Sequence, residues 1–232
     1  MKNKKIKIIS FMLLMAMVIG IMPIGMMDKS YASKNGQEYE HLPKIKNIVA
    51  DLDVYFAVTE DGRVLGGASN YYTYAEPGKV ANNNLGKSYY TNDIKNVGIN
   101  NVDKVITSRT KQHSSRAYVY DKGAYIEGTV FLLKNDGTIL AAGTNFYGQL
   151  GVGNKQNTHN FLQVKVDNVK DVFSSPNSTF FLKENGEVWA TGSNGGGQLG
   201  IGNETNKDVP TKVGIEGVKE VIVDSNSTFF LR

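Results

Sequence analysis

A segment written twice constrains this chain more than any other feature. Phe131-Leu132-Leu133-Lys134-Asn135-Asp136-Gly137-Thr138-Ile139-Leu140-Ala141-Ala142-Gly143-Thr144-Asn145 is followed by Gly148-Gln149-Leu150-Gly151-Val152-Gly153-Asn154. The same frame returns 49 positions later, from Gly137 to Gly186, as Phe180 to Asn194 followed by Gly197-Gln198-Leu199-Gly200-Ile201-Gly202-Asn203. A period of this length marks stacked or radial repeats, in which a unit buries its faces only against its neighbours.

Each unit opens with a short apolar strand. A turn and two further strands joined by a hairpin follow, as in Val169–Phe173, Thr179–Lys183 and Glu187–Thr191. These runs are rich in Val, Phe, Ile and Thr and are bounded by Gly, Asn and Asp, the pattern of β structure. Asp61-Gly62, Asp136-Gly137 and Asn185-Gly186 supply the positive φ values that tight hairpins need. No helical period appears beyond the N-terminal segment. The frame fits four times, with units near 45–101, 102–168, 169–217 and 218–232 and residues 33–44 as a linker. The fourth unit starts with Val218-Lys219-Glu220-Val221 and Thr228-Phe229-Phe230-Leu231, and the sequence stops where its hairpin turn would begin. An unpaired edge there predicts self-association.

Residues 1–32 read as a secretory signal peptide. Lys2, Lys4, Lys5 and Lys7 precede an apolar run from Ile8 to about Met22, and Ser30-Tyr31-Ala32 supplies small residues before a cleavage site at Ser33. A retained anchor is the alternative, since Ile8 to Met27 could just span a bilayer. The segment holds five lysines and Asp28, so its removal takes the chain's net charge of +4 to near zero. The basic balance thus belongs to the export signal and argues for no nucleic-acid partner. The chain has no cysteine, which leaves no disulfide framework and no thiol chemistry. The expected location is extracellular, either free or associated with the cell wall.

The hairpin glycine, then Val188-Trp189-Ala190-Thr191-Gly192-Ser193-Asn194, then Gly197-Gln198-Leu199-Gly200-Ile201-Gly202 resembles the regulator of chromosome condensation repeat. The resemblance runs from about residue 45 to the end. It implies an all-β β-propeller of that repeat type, here about three and a half blades against a usual count of about seven. The family often carries Gly-Gly and His before the second strand, where this chain has Ser175-Pro176 and Ser178. Its nuclear founding member is a nucleotide exchange factor for a small GTPase, which fits poorly with an exported, partial ring.

No catalytic residue, cofactor site or metal site emerges. Gly195-x-Gly197-x-x-Gly200 matches a dinucleotide fingerprint in letters, but no helix follows to receive a pyrophosphate. His41, His113 and His159 are far apart and lack metal spacing. Asp51 and Asp53 read as a solvated turn rather than an acid/base pair. Gln149-Leu150 and Gln198-Leu199 read as structural, with the leucines between blades. Leu65, Leu140 and Trp189, mid-strand in the third strand, read as core.

Two insertions exceed what the scaffold needs. They lie between Asn70 and Val102 and between Arg109 and Gly128, and eight of the twelve tyrosines fall in or beside them. Tyr71, Tyr72, Tyr74, Tyr89, Tyr90, Tyr118, Tyr120 and Tyr125 are therefore the expected partner-binding residues. Tyrosine gives large amphipathic contact area at low entropic cost, and loops on rigid scaffolds commonly carry function. The reading is an exported, non-enzymatic scaffold that binds another macromolecule, most simply a protein. A glycan or cell-wall ligand is the first alternative and GTPase exchange the second.

Overall fold

The computed structural model describes residues 43–51, 54–68, 95–108, 128–224 and 227–232. They form three four-stranded antiparallel sheets and one two-stranded sheet, each in chain order. Blade 1 contains β1 (Ile45–Asp51), β2 (Val54–Thr59), β3 (Val64–Ala68) and β4 (Lys95–Asn96). Blade 2 contains β5 (Val102–Ser108), β6 (Thr129–Lys134), β7 (Ile139–Gly143) and β8 (Thr158–Gln163). Blade 3 contains β9 (Val169–Ser174), β10 (Ser178–Lys183), β11 (Val188–Gly192) and β12 (Lys207–Lys212). Blade 4 contributes β13 (Glu220–Val223) and β14 (Thr228–Leu231). The first strands β1, β5, β9 and β13 lie side by side, so the sheets radiate from them as propeller blades. Among the described residues no helix is long and apolar enough to cross a membrane.

The fourth strand corrects the sequence reading, which had three per unit. Lys207-Asp208-Val209-Pro210-Thr211-Lys212 is polar and contains proline, yet it pairs with β11 through Ala190↔Thr211 and Trp189↔Lys212. An outer edge strand tolerates proline because one side of its backbone faces away from the ladder. Its polarity hid it.

The hairpin glycines have the expected conformation, with φ of 80° at Gly62, 76° at Gly137 and 79° at Gly186. They also join neighbouring blades. The Gly62 carbonyl accepts the Val102 N–H at 3.0 Å, Gly137 accepts Val169 at 3.1 Å, and Gly186 accepts Val218 at 3.1 Å. A Cβ at Gly137 would sit 3.0 Å from the Val169 nitrogen, so the close approach excludes a side chain as firmly as φ does. The first strand of each complete blade also carries a register shift near its start, at Ile45/Asn47, at Val102/Lys104 and opposite Leu182/Lys183. Repetition of the bulge makes it part of the blade design.

The core lies in the seams between blades. Phe56, Val58, Val64 and Val97 of blade 1 pack on Val102, Val105, Val130 and Leu132 of blade 2. Phe131, Leu133, Ile139 and Leu150 pack on Val169, Val172 and Phe181. Phe180, Leu182, Val188 and Leu199 pack on Val218 and Val221, with Phe230 beside them. Leu150 and Leu199 are fully buried here, as the repeat pattern led us to expect. Leu65, Leu140 and Trp189 are not: all three are half-buried. The pleat turns Val188 and Ala190 into the seam with blade 4 and sends Trp189, between them, to the opposite face at the margin of the seam with blade 2.

Candidate functional site

Antiparallel order places the β1–β2, β3–β4, β5–β6, β7–β8, β9–β10, β11–β12 and β13–β14 connections at one end of the blades. The Ser108 hydroxyl, closing β5, donates to the Ser175 carbonyl just beyond β9 at 2.9 Å, which puts the ends of the two strands together. Both tyrosine-bearing insertions join the described blades at this end, between Ala68 and Lys95 and between Ser108 and Gly128. The eight tyrosines themselves (Tyr71, Tyr72, Tyr74, Tyr89, Tyr90, Tyr118, Tyr120 and Tyr125) lie outside the described residues.

At the same end the sequence reading missed an aromatic pair. Phe146 is 59% exposed and Tyr147 is 40% exposed, on the connection from β7 to β8. The turn that carries them is tightly bonded. Asn145 is fully buried; its side-chain oxygen accepts the Leu150 N–H at 2.9 Å and its amide donates to the Asn154 carbonyl at 2.8 Å. The Tyr147 N–H donates to the Gln149 side chain at 3.0 Å, whose own amide donates to the Pro176 carbonyl of blade 3 at 3.2 Å. The Thr191 hydroxyl donates to the Gly148 carbonyl at 2.8 Å. Blade 3 builds the same turn with Gly195 and Gly196 in these two places, and Asn194 makes the same bond to Leu199 at 2.9 Å. Folding does not require aromatics there. The signal was available in the two copies, where Phe146-Tyr147 stands against Gly195-Gly196 in an otherwise shared frame.

Four amides of the run at 195–200 are used within the turn itself. Gly196 N–H donates to Gln198, Gly197 to the Asn194 carbonyl, Leu199 to the Asn194 side chain and Gly200 to the Gly197 carbonyl. Strand β12 follows rather than a helix, so no helix dipole faces a phosphate here.

Hydroxyls cluster where blades 2 and 3 meet at this end. Ser108 and Thr129 lie 2.7 Å apart, Ser174 and Thr179 3.1 Å, and Ser175 and Ser178 2.8 Å. The partners are other hydroxyls and carbonyls, and a serine nucleophile needs a base. Among the described residues no three His, Cys, Asp or Glu side chains are grouped to hold a metal. Asp51 ends β1 opposite Val54, and Asp53 lies outside the described residues with His41 and His113.

The carboxylates with shifted proton affinity sit at or near the opposite, hairpin end; Asp61, Asp136 and Asp167 are exposed and Glu187 is half-buried. The Arg63 side chain and the Thr59 hydroxyl hold Asp61 at about 2. Hydrogen bonds from Thr138 lower Asp136, the Lys183 ammonium lowers Asp167, and Lys212 with Trp189 lowers Glu187. Glu187 and Glu216 in turn raise Lys212. Each carboxylate is held ionised, the reverse of what a general acid near neutral pH requires. At Trp189 the Lys183 ammonium lies 5.4 Å from the ring and binds Asp167 at 2.6 Å, so a charged neighbour covers that aromatic face.

The regulator of chromosome condensation (RCC1) repeat matches residues 185–226, and a second form of that repeat matches residues 169–198. Among solved structures, yeast RCC1 (Prp20) bound to Kap60 is similar with a TM-score of 0.58 and 16% identity, covering 82% of this chain and 42% of that one. Human WBSCR16 is similar with a TM-score of 0.57 and 17% identity, covering 82% of this chain and 44% of that one. Prp20p from Saccharomyces cerevisiae, described with its binding to Gsp1p and histones, gives a TM-score of 0.52 and 15% identity over 80% and 42% of the two chains. This chain therefore spans less than half the length of these propellers. No curated protein matches it by sequence. At such identities the structural likeness establishes the fold, which is the β-propeller.

Proposed function

We propose that this chain of regulator of chromosome condensation repeats is an exported, non-enzymatic scaffold that binds another protein through the loop-bearing end of its blades. The observation that carries the reading is the exposed Phe146–Tyr147 pair, held on a bonded turn whose sister copy does without aromatics. Rigid, exposed aromatics of this kind serve as interface anchors. The pair offers two exposed rings at positions fixed by the bonded turn, which suits a pocket on a protein partner. The tyrosine-bearing segments are joined to the blades at the same end, and we assign their tyrosines to the same partner. Yeast RCC1, solved with Kap60, is an example of a similar propeller in a protein complex.

Two experiments test this. Secreted material should have the intact mass of a chain beginning at Ser33; recovery only of full-length, membrane-pelleted protein would remove the export step. For a partner captured at the cell surface, Phe146→Ser/Tyr147→Ser should weaken binding by more than ~1 kcal/mol, the usual threshold for an anchor. Tyr71→Ser/Tyr72→Ser/Tyr74→Ser should do the same. Phe146→Ser/Tyr147→Ser should move folding stability by no more than about 0.5 kcal/mol, because exposed side chains contribute little to it. Undiminished affinity in both sets would move the binding surface off this end.

A further inference from the structure

Three backbone hydrogen bonds put the blades in a common frame at the hairpin end. Val97, Val164 and Val213 donate their N–H groups to the Val64, Ile139 and Val188 carbonyls at 2.8, 2.9 and 2.8 Å. The residue after each valine is Gly98, Lys165 and Gly214 in turn, and two places further on stand Asn100, Asp167 and Glu216. In the seam between blades 1 and 2, Ile99 and Leu140 border the core; in the seam between blades 2 and 3, Val166 and Trp189 do. Glycine and leucine satisfy the frame, so folding does not require Lys165 and Trp189 in these places.

A pocket of about 340 Å³ opens among the residues of this second seam. That is the lower end of what small-molecule sites occupy, about 300–1,000 Å³. Val164, Val166 and Trp189 give it apolar walls, and Gln163, Lys165, Asp167 and Lys183 give it polar groups. One ion pair spans it, with Lys183 Nζ of blade 3 lying 2.6 Å from Asp167 Oδ1 of the segment that joins β8 to β9. Lys134, which holds the place of Lys183 one blade earlier, turns instead to Asp136 of its own hairpin at 4.0 Å. The Lys183 side chain is 14% exposed and that of Asp167 79%. The ammonium is thus packed in, 5.4 Å from the centre of the indole, while the carboxylate keeps acceptor sites open. The indole is oriented from its other end, where Nε1–H donates to Glu187 Oε2 at 3.3 Å.

We propose that this pocket binds a neutral pyranose ring of a saccharide. Each hydroxyl of such a ring both donates and accepts, so neighbouring hydroxyls call for donors and acceptors side by side. The Asp167 carboxylate and the Lys183 ammonium supply one such pair, and the Gln163 amide supplies another from a single side chain. Half-buried Val166 and Trp189 leave apolar surface, on the sides that Lys183 does not cover, for the C–H groups of the ring. A simple anion would meet Asp167 and a simple cation Lys183, so the paired charges favour a ligand with none of its own. The remaining charge, on Lys165, lies over Gly153 rather than against this pair. The pocket is at the hairpin end, away from the loop-bearing end, so saccharide binding here and protein binding there stand or fall separately.

Trp189 is the only tryptophan of the chain, so its fluorescence reports on this pocket directly. Cellobiose, maltose and N,N′-diacetylchitobiose are the probes, with glutarate as the charged control. At least one of the disaccharides should change the emission saturably, with a Kd of about 1 mM, as a few hydrogen bonds in an open site would give. Asp167→Asn should weaken that binding about tenfold, because a charged acceptor is lost while the amide keeps the shape. Trp189→Leu, which matches what blade 2 carries at Leu140, should also weaken it, as read by calorimetry. Both variants should keep the β circular dichroism of the wild type, since Asp167 is exposed and the sister blade folds with leucine. Absence of saturation with all three disaccharides would overturn the proposal. So would tighter binding of glutarate than of any sugar, or an affinity that either variant leaves unchanged.

Discussion

Gly192→Ala will lower the thermal midpoint by about 10 °C, the equivalent of about 3 kcal/mol or more in a domain of this size. Gly192 closes β11 with φ at 108°, a conformation that L side chains rarely adopt. A Cβ there would overlap the Asn177 carbonyl oxygen and lie 2.8 Å from the Ser178 Cα. That same carbonyl accepts the Ser193 N–H at 2.8 Å, which starts the buried turn ending in β12. Relief of the overlap would therefore break the hydrogen bond as well as the pairing of Gly192 with Ser178. Gly214→Ala is the control, because nothing lies within 4 Å of its Cβ position and its φ is not in the left-handed region. Thermal melts followed by circular dichroism decide the matter. Equal midpoints for the two variants would show that the β11 corner relaxes at no cost.

Gly143 occupies the corresponding corner of blade 2, with φ at 120° and the Gly128 carbonyl in the way of a Cβ. Blade 1 has Ala68 at this position, and the sequence beyond it lacks the Gly-Gln-Leu-Gly frame. Corner glycine and buried loop thus go together, and both were readable once the copies were aligned. The hairpin glycines and the interblade leucines were readable for the same reason: each has a steric or burial requirement that only one or two residue types meet. Strand β12 was not readable, since an edge strand paired on one side makes few demands on its side chains and admits Pro210. Trp189 misled because size suggests burial, whereas the strand's alternation sends its neighbours inward. Phe146 and Tyr147 were legible only as a difference between copies, which a search for motifs passes over.

Phe180 and Phe229 occupy the same position in successive repeats, and their replacement by alanine should separate cleanly. Phe180 is fully buried between blades 3 and 4 and meets Phe230 edge-on, so Phe180→Ala should cost about 4 kcal/mol, the usual range for a buried phenylalanine that leaves a cavity. Phe229 is 65% exposed, so Phe229→Ala in dilute solution should change stability by no more than about 0.5 kcal/mol. Denaturant titration with the slope held common gives both numbers. Residue type and repeat position are shared, which leaves as variables the blade packed in front and the strand paired beyond, β11 in the case of β10. A repeat array draws its stability from nearest-neighbour interfaces, and this pair measures one seam against its uncovered counterpart. A cost for Phe229→Ala that is already large in dilute solution would show that Phe229 itself is covered within a single chain.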